Sequence, residues 1–228
     1  MSSYVAIEPS TVSDASSRFL VGVPRDEALL TAAAIEQAHV LLRPGPGRSL
    51  IILNEVELGS GRPDLLLLAA SKRGLLARAS TGLRLANLTE ARVLAGLYTG
   101  TPSGHSQGHV RAVTKRLQDL GWLADQTAVQ VSPLIATSLL VEAKVRDWRT
   151  GIGQLSKNRW AASSSALLVP AHVGRLVPRQ VLRHNRLGLI ALSGSGQVSW
   201  QIQLRRRPLP VLADLWLSEL AIRSLMNP

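Results

Sequence analysis

The chain contains no cysteine, one phenylalanine and two tyrosines, and aromatic residues fill only 4% of its 228 positions. The first absence excludes disulfides and thiolate-held zinc. The second leaves leucine, alanine, valine and isoleucine to build the interior, and a hydrophobic content of 46% supplies enough of them for a sizeable core. Acidic residues are scarce as well: 15 Asp plus Glu stand against 26 Lys plus Arg, a formal net charge of +11. No stretch of about 18 or more apolar residues offers a membrane span, and no long amphipathic helix carries a clean basic face. The opening Met1-Ser2-Ser3-Tyr4 lacks the basic run and apolar stretch of a secretory leader, so the expectation is a cytoplasmic protein with no membrane partner. The Ser-rich beginning, to about Arg18, has little pattern and reads as a loose arm.

What the chain does have is cationic surface. An excess of this size points to an anionic partner, and a phosphate backbone is the commonest, because each Lys or Arg near a phosphate releases condensed counterions.

Asp26 to Leu42 reads as a helix capped by Asp26 and ended by Pro44-Gly45-Pro46-Gly47. Ser49 to Leu58 and Leu65 to Leu68 read as two strands of a hairpin turning at Gly59-Ser60-Gly61. From Ser71 to about Pro133 the texture turns helical, with segments near Arg73–Leu85, Thr89–Leu97 and Ser106–Leu120, then a short hairpin over Ala124–Val131. Strand character returns at Leu139–Val145. A helix at Ile152–Ala162, a buried strand at Ala166–Val169 and a short helix at Pro178–Asn185 follow. Strands at Leu187–Leu192 and Gln197–Leu204 and a helix at Asp214–Met226 close the chain. Without the helical middle, the order is helix, hairpin, strand, helix, strand: an α/β fold with a mixed sheet flanked by helices. The expected organisation is a core in two parts, 1–70 and 134–228, with 71–133 as an inserted module.

Three pieces carry chemistry. Gly61-Arg62-Pro63-Asp64 puts a carboxylate at the start of an apolar strand. Val141-Glu142-Ala143-Lys144-Val145 puts Glu142 and Lys144 on one face of another strand, since residues two apart project together. Gly153-Gln154-Leu155 lies near the start of the next helix. Two carboxylates at neighbouring strand ends suit a hard cation such as magnesium, which prefers oxygen ligands and keeps several waters. A lysine on the same face can polarise the attacking water and offset phosphate charge, so that metal and lysine stabilise in-line attack on a phosphodiester.

Pro63-Asp64, Glu142-x-Lys144 and Gln154, in this order after a hairpin and before a buried strand, resemble the PD-(D/E)XK, or restriction-endonuclease-like, nuclease superfamily. The likeness covers roughly Asp26 to Ala70 and Leu134 to Leu204 and rests on the order of elements more than on identity. It implies a Mg2+ or Mn2+ ion held by Asp64, Glu142 and the main chain of Ala143, with Lys144 aiding water activation and Gln154 beside the site. Such nucleases often carry a further acid on the first helix or first strand. Glu36, mid-helix, is the candidate, with Glu55 and Glu57 competing.

The stretch Ser106 to Leu123 resembles the recognition helix and exit of winged helix-turn-helix proteins. Val110, Val113, Leu117 and Leu120 share one face at helical spacing, and Arg111, Lys115 and Arg116 lie mainly away from it. That resemblance implies DNA contacts at Ser106, Gln107, His109, Arg111 and Lys115. Arg146, Arg149, Lys157 and Arg159 flank the carboxylate–lysine residues and would suit a phosphate track; Arg205-Arg206-Arg207 reads either as its extension or as a solvated strand end. His172 and His184 have no partners at metal-ligand spacing, and Gly194-Ser195-Gly196 is a turn with no phosphate-loop lysine behind it. The expectation is a metal-dependent DNA endonuclease, a homodimer if it cuts both strands. A non-cleaving DNA-binding regulator or subunit on the same fold is the alternative.

Overall fold

A computed structural model describes residues 4–6, 26–124, 127–128 and 132–226 of the chain; most of the expected arm, 1–3 and 7–18, lies outside them. The described chain runs β1 (Tyr4–Ala6), α1 (Glu27–Glu36), α2 (Ala38–Leu41), β2 (Ser49–Asn54), β3 (Leu65–Ala70), α3 (Lys72–Ser80), α4 (Leu88–Thr99) and α5 (Gln107–Asp119). It continues through β4 (Leu123–Ala124), β5 (Thr127–Ala128), β6 (Ile135–Ala143), α6 (Trp148–Asn158), β7 (Ser164–Pro170) and α7 (Ala171–Gly174). The last elements are α8 (Arg179–Asn185), β8 (Gly188–Leu192), β9 (Val198–Ile202) and α9 (Val211–Met226).

Seven strands form one mixed sheet in the order β1-β2-β3-β6-β7-β8-β9. The first four pair antiparallel, β6, β7 and β8 pair parallel, and β9 returns antiparallel. The α/β class with helices flanking a mixed sheet is therefore present. β3 is buried at every position and β7 at all but its first, as expected of strands covered on both faces. β9 alternates instead, with Val198 inside and Ser199 and Gln201 exposed. One apolar layer joins the sheet to α1 and α2 through Leu30, Ala34, Leu67, Val141 and Ile190. The other joins it to α6, α9 and the helical middle through Leu66, Leu94, Leu117, Trp122, Leu155 and Leu217.

Several sequence expectations change: α3 ends at Ser80 and not Leu85, and α6 spans Trp148–Asn158 and not Ile152–Ala162. Tyr4–Ala6, within the expected loose arm, pairs with Ile51–Leu53 as an edge strand. The first helix breaks at Gln37, whose side chain donates to Gly196 O at 2.7 Å and accepts from Val198 N–H at 2.9 Å, tying the break to the β8–β9 turn. The strand from Ser49 ends at Asn54 and not Leu58: Glu55 takes φ +51°, and Val56 and Leu58 turn inward as buried loop anchors.

The helical middle is tied to the C-terminal helix by one buried acid. Glu219 of α9 is 1% exposed and receives Arg78, Arg84, Arg223 and the Leu85 N–H. Arg78 in turn lies 4.8 Å from the centroid of the fully buried Trp122 ring, at the exit of α5. Burial pushes the Glu219 carboxyl up, but the hydrogen bonds from Arg84, Leu85 and Arg223 with the Arg84 charge outweigh it, and the net shift is downward. A carboxyl depressed in the folded state stabilises at pH values above its ordinary value of 4.5, and that stability is lost as pH falls through the folded value. Glu219→Gln should therefore cost about 3 kcal/mol at neutral pH by leaving Arg78 without its counter-charge. In urea unfolding the gap between the two proteins should narrow as the pH falls below the ordinary carboxyl value of 4.5 and through the depressed folded value.

Candidate active site

The carboxyl end of β6 is where the sheet turns from antiparallel to parallel pairing. Glu142 is the penultimate residue of β6, only 1% exposed, and Lys144 follows the strand at 7%. Asp64 closes the β2–β3 loop next door and accepts the Ala143 N–H at 2.7 Å. The backbone pairing of β3 and β6 thus brings the two carboxylates to the same strand end. Lys144 Nζ sits 3.0 Å from Glu142 Oε1 and 2.9 Å from Glu27 Oε2. Among the described residues, Glu142 Oε2 is buried with no hydrogen-bond partner, and so is Oε1 of Gln154, one turn along α6 from Gly151.

Helix α6 presses this close to the strand because residue 151 has no side chain. A Cβ there would come within 2.7 Å of Leu167 Cδ1 and 2.8 Å of Lys144 Cγ. Asp147 caps the helix by accepting the Thr150 N–H. The loop bearing Asp64 is anchored to the far end of the same helix. Ser60 Oγ donates to buried Asn158 Oδ1 at 2.7 Å and accepts from Trp160 Nε1 at 2.9 Å. Gly61 packs against the Asn158 amide.

The electrostatics follow from crowding. Two carboxylates pair with one ammonium, and the charge of Asp64 acts on the same group. Burial first, and then the charge of Asp64, push the Glu142 carboxyl up to about 7. Burial also raises Asp64, against the Ala143 N–H and the Lys144 charge. Burial by itself pulls Lys144 down, but its bonds to Glu27 and Glu142 and the carboxylate charges raise it overall, so the ammonium stays charged.

Asp64, Glu142, Ala143 and Lys144 thus come together as the sequence led us to expect, and the helix bearing Gln154 packs beside them. Glu36 does not. It is exposed at the other end of α1, roughly 13 Å of helix away from Glu27. Glu55 pairs with Arg62 at 2.7 Å and Glu57 accepts the Gly59 N–H, so neither strand acid reaches the cluster. The acid on the first helix is Glu27, which the sequence reading passed over. Its signal was helical phase: Glu27 precedes buried Leu30 and Thr31 by three and four residues, whereas Glu36 is half a turn out of phase with it. Among the described residues, no three His, Cys, Asp or Glu side chains converge as a ready-made metal cage.

The basic candidates divide. Arg146 and Arg149 are exposed at the amino end of α6, with Arg149 stacked 4.4 Å from the Trp148 ring centroid. Lys157 is exposed further along the helix, and Arg159 turns to a hollow it shares with Arg186, Arg205 and Arg207. Ser106, Gln107, His109, Arg111 and Lys115 are all exposed on or at the start of α5, while Leu117 is buried beneath them. Arg116 is tied to Glu90 of α4 at 2.9 Å. No helix among the described residues is long and apolar enough to cross a membrane.

Compared with protein-family models, curated proteins and solved structures, the chain has no match.

The contact at residue 151 yields a paired expectation. Gly151→Ala should destabilise the protein by about 1–3 kcal/mol through overpacking against Lys144 and Leu167. Gly153→Ala, whose Cβ would meet open space, should stabilise it by about 1 kcal/mol through helix propensity. Urea unfolding of the two variants separates packing from propensity; equal effects would mean that α6 does not press on Lys144.

Proposed function

We propose that the chain is a metal-dependent DNA endonuclease of the PD-(D/E)XK type, hydrolysing phosphodiester bonds at Asp64, Glu142 and Lys144. The observation that carries this reading is the convergence of these residues around a buried Glu142 oxygen that has no hydrogen-bond partner among the described residues. A divalent cation fits that environment. The donors are hard oxygens, and burial with the neighbouring Asp64 charge, only partly offset by Lys144, holds Glu142 up near neutrality. Asp64, Glu142 and the Ala143 main chain would hold the ion. When bound, magnesium or manganese supplies Lewis-acid stabilisation of the charge that builds during in-line attack. The shortage of protein ligands suits magnesium, which keeps several of its own waters.

The chain's own residues divide the remaining work. Lys144, kept charged by Glu142 and Glu27, offsets the phosphate charge and orients the attacking water by hydrogen bonding. Glu27, the more exposed of its two partners at 47%, fixes the ammonium from the solvent side. Asp64 is oriented by the Ala143 N–H, so one oxygen is committed to the strand. Exposed Arg146 and Arg149 next to the cleft would grip the flanking phosphates, and α5 with the β4–β5 hairpin would act as a winged-helix element on the same DNA. The ion pairs of Lys144 also suit a second reading, a DNA-binding subunit in which this cluster only stabilises the fold.

Nicking of supercoiled plasmid tests the two readings. Wild type should nick only with magnesium or manganese present. Asp64→Ala, Glu142→Gln and Lys144→Ala should each reduce the rate by about 100-fold or more, while Glu36→Gln should leave it unchanged. Metal-dependent nicking that survives Lys144→Ala would remove the assignment, and no nicking by wild type would favour the second reading.

Binding of α5 is tested separately. Arg111→Ala and Lys115→Ala should each weaken duplex binding and reduce the slope of log affinity against log salt by about one. Unchanged slopes would take this helix off the DNA.

A further inference from the structure

The sheet has a second charged end. Arg159, Arg186, Arg205 and Arg207 line a hollow together with three consecutive serines beginning at Ser163. It lies away from the carboxylates: Ser164 pairs with Leu139, which precedes Ala143 on β6 by four residues, about 13 Å of strand. No Asp or Glu lines the hollow, and none of the four guanidiniums has an ion-pair partner among the described residues.

Two features mark the cluster as built. Arg207 is fixed in place: its N–H donates to Ser163 O at 2.9 Å, its Nε donates to Ala162 O at 3.0 Å, and its Nη2 donates to Arg159 O. A guanidinium has five N–H donors, so this anchoring leaves others for a ligand. Arg186 ends α8 with a left-handed backbone, φ +50°, a position ordinarily filled by glycine or asparagine. A long side chain there strains the backbone, which is explicable if its charge is wanted. Burial, with the charges of Arg159 and Arg186, holds the Arg207 guanidinium below its usual range, as expected where cations gather without a counter-ion.

We infer that this hollow is a binding site for a phosphate group, gripped by Arg159, Arg186 and Arg207 and separate from the carboxylate cleft. Arginine forks match the oxygens of a phosphate, and neighbouring hydroxyls add donors. Both free phosphate and a nucleic-acid phosphate present this chemistry. The inference does not depend on the nuclease reading.

Calorimetric titration of the full chain with inorganic phosphate, and separately with a duplex oligonucleotide, tests it. The variants are Arg186→Gly, Arg159→Gln and Asp64→Ala. Arg186→Gly is the informative one, because it removes the charge while relieving the backbone. Its melting temperature should rise while ligand binding weakens about tenfold, the loss of roughly one charge-assisted contact. Arg159→Gln should weaken binding similarly, and Asp64→Ala should leave it intact. Phosphate binding that follows this pattern identifies a free phosphate ligand. The pattern in the oligonucleotide titration alone identifies a backbone phosphate. Affinities unchanged by both arginine substitutions, or no binding of either ligand by wild type, would overturn the site. So would phosphate binding that is lost in Asp64→Ala alone, which would put the anion in the carboxylate cleft.

Discussion

The burial of Glu142 is the constraint on which the cleft depends. A carboxylate out of solvent needs a counter-charge, and Lys144 two residues on supplies it from the same strand face. Lys144 is itself nearly buried and takes a second carboxylate, Glu27, from the first helix. The strand end is then enclosed by α6, whose approach requires a residue without a side chain at 151. The Asp64 loop completes the wall through the Ala143 N–H and the Ser60–Asn158 bond. Each of these contacts is local and unremarkable in strength. Together they bury one oxygen of Glu142 without a hydrogen-bond partner among the described residues, and that burial, with the charge of Asp64, raises its proton affinity.

Charge is sorted along the sheet. Carboxylates collect at the carboxyl end of β6, and arginines without counter-ions among the described residues collect toward the start of β7. The chain as a whole carries a net charge of +11, which on the proposed reading would favour the approach of a polyanion. On the proposed reading, a phosphodiester entering the cleft would meet carboxylates and would need Lys144 and a cation to be tolerated there. The exposed Arg146 and Arg149 at the amino end of α6 lie outside the buried cluster, and on that reading their role would be distinct from that of Lys144.

Much of this architecture was legible because it is written in period and punctuation. The four leucines of β3 and the apolar run of β7 have no polar alternation, so they announce buried strands. Asp26 and Ser106 stand where caps belong, and each accepts the N–H three residues on. The Glu142-x-Lys144 pair was legible because a strand returns to the same face every second residue. Longer-range choices were less so. Glu36 looked suitable because it sits well inside the helical pattern, but that pattern does not say how a helix lies across a sheet. Here Glu27 meets Lys144 beyond β6 while Gln37 meets the β8–β9 turn, so the two ends of α1 serve different strands. Glu219 was hidden for a related reason: apart from Arg223, its partners lie more than 130 residues earlier in α3 and the following link.

The Glu219 cluster also bears on how the helical middle relates to the sheet. Trp122, Leu117 and Leu94 share one apolar layer with Leu66 and Leu155, so the segment is not held by a linker alone. Arg78 adds an orientational lock, since it must stack on Trp122 and reach Glu219 together. With α4 and α5 joined by Arg116 and Glu90, the exposed face of α5 is set at a fixed angle to α9 and hence to the sheet that α9 covers. A DNA-gripping surface on α5 and a cutting site at the end of β6 would then hold a fixed separation along one duplex. Substrate length, and not flexibility between parts, would determine which phosphodiester reaches Lys144.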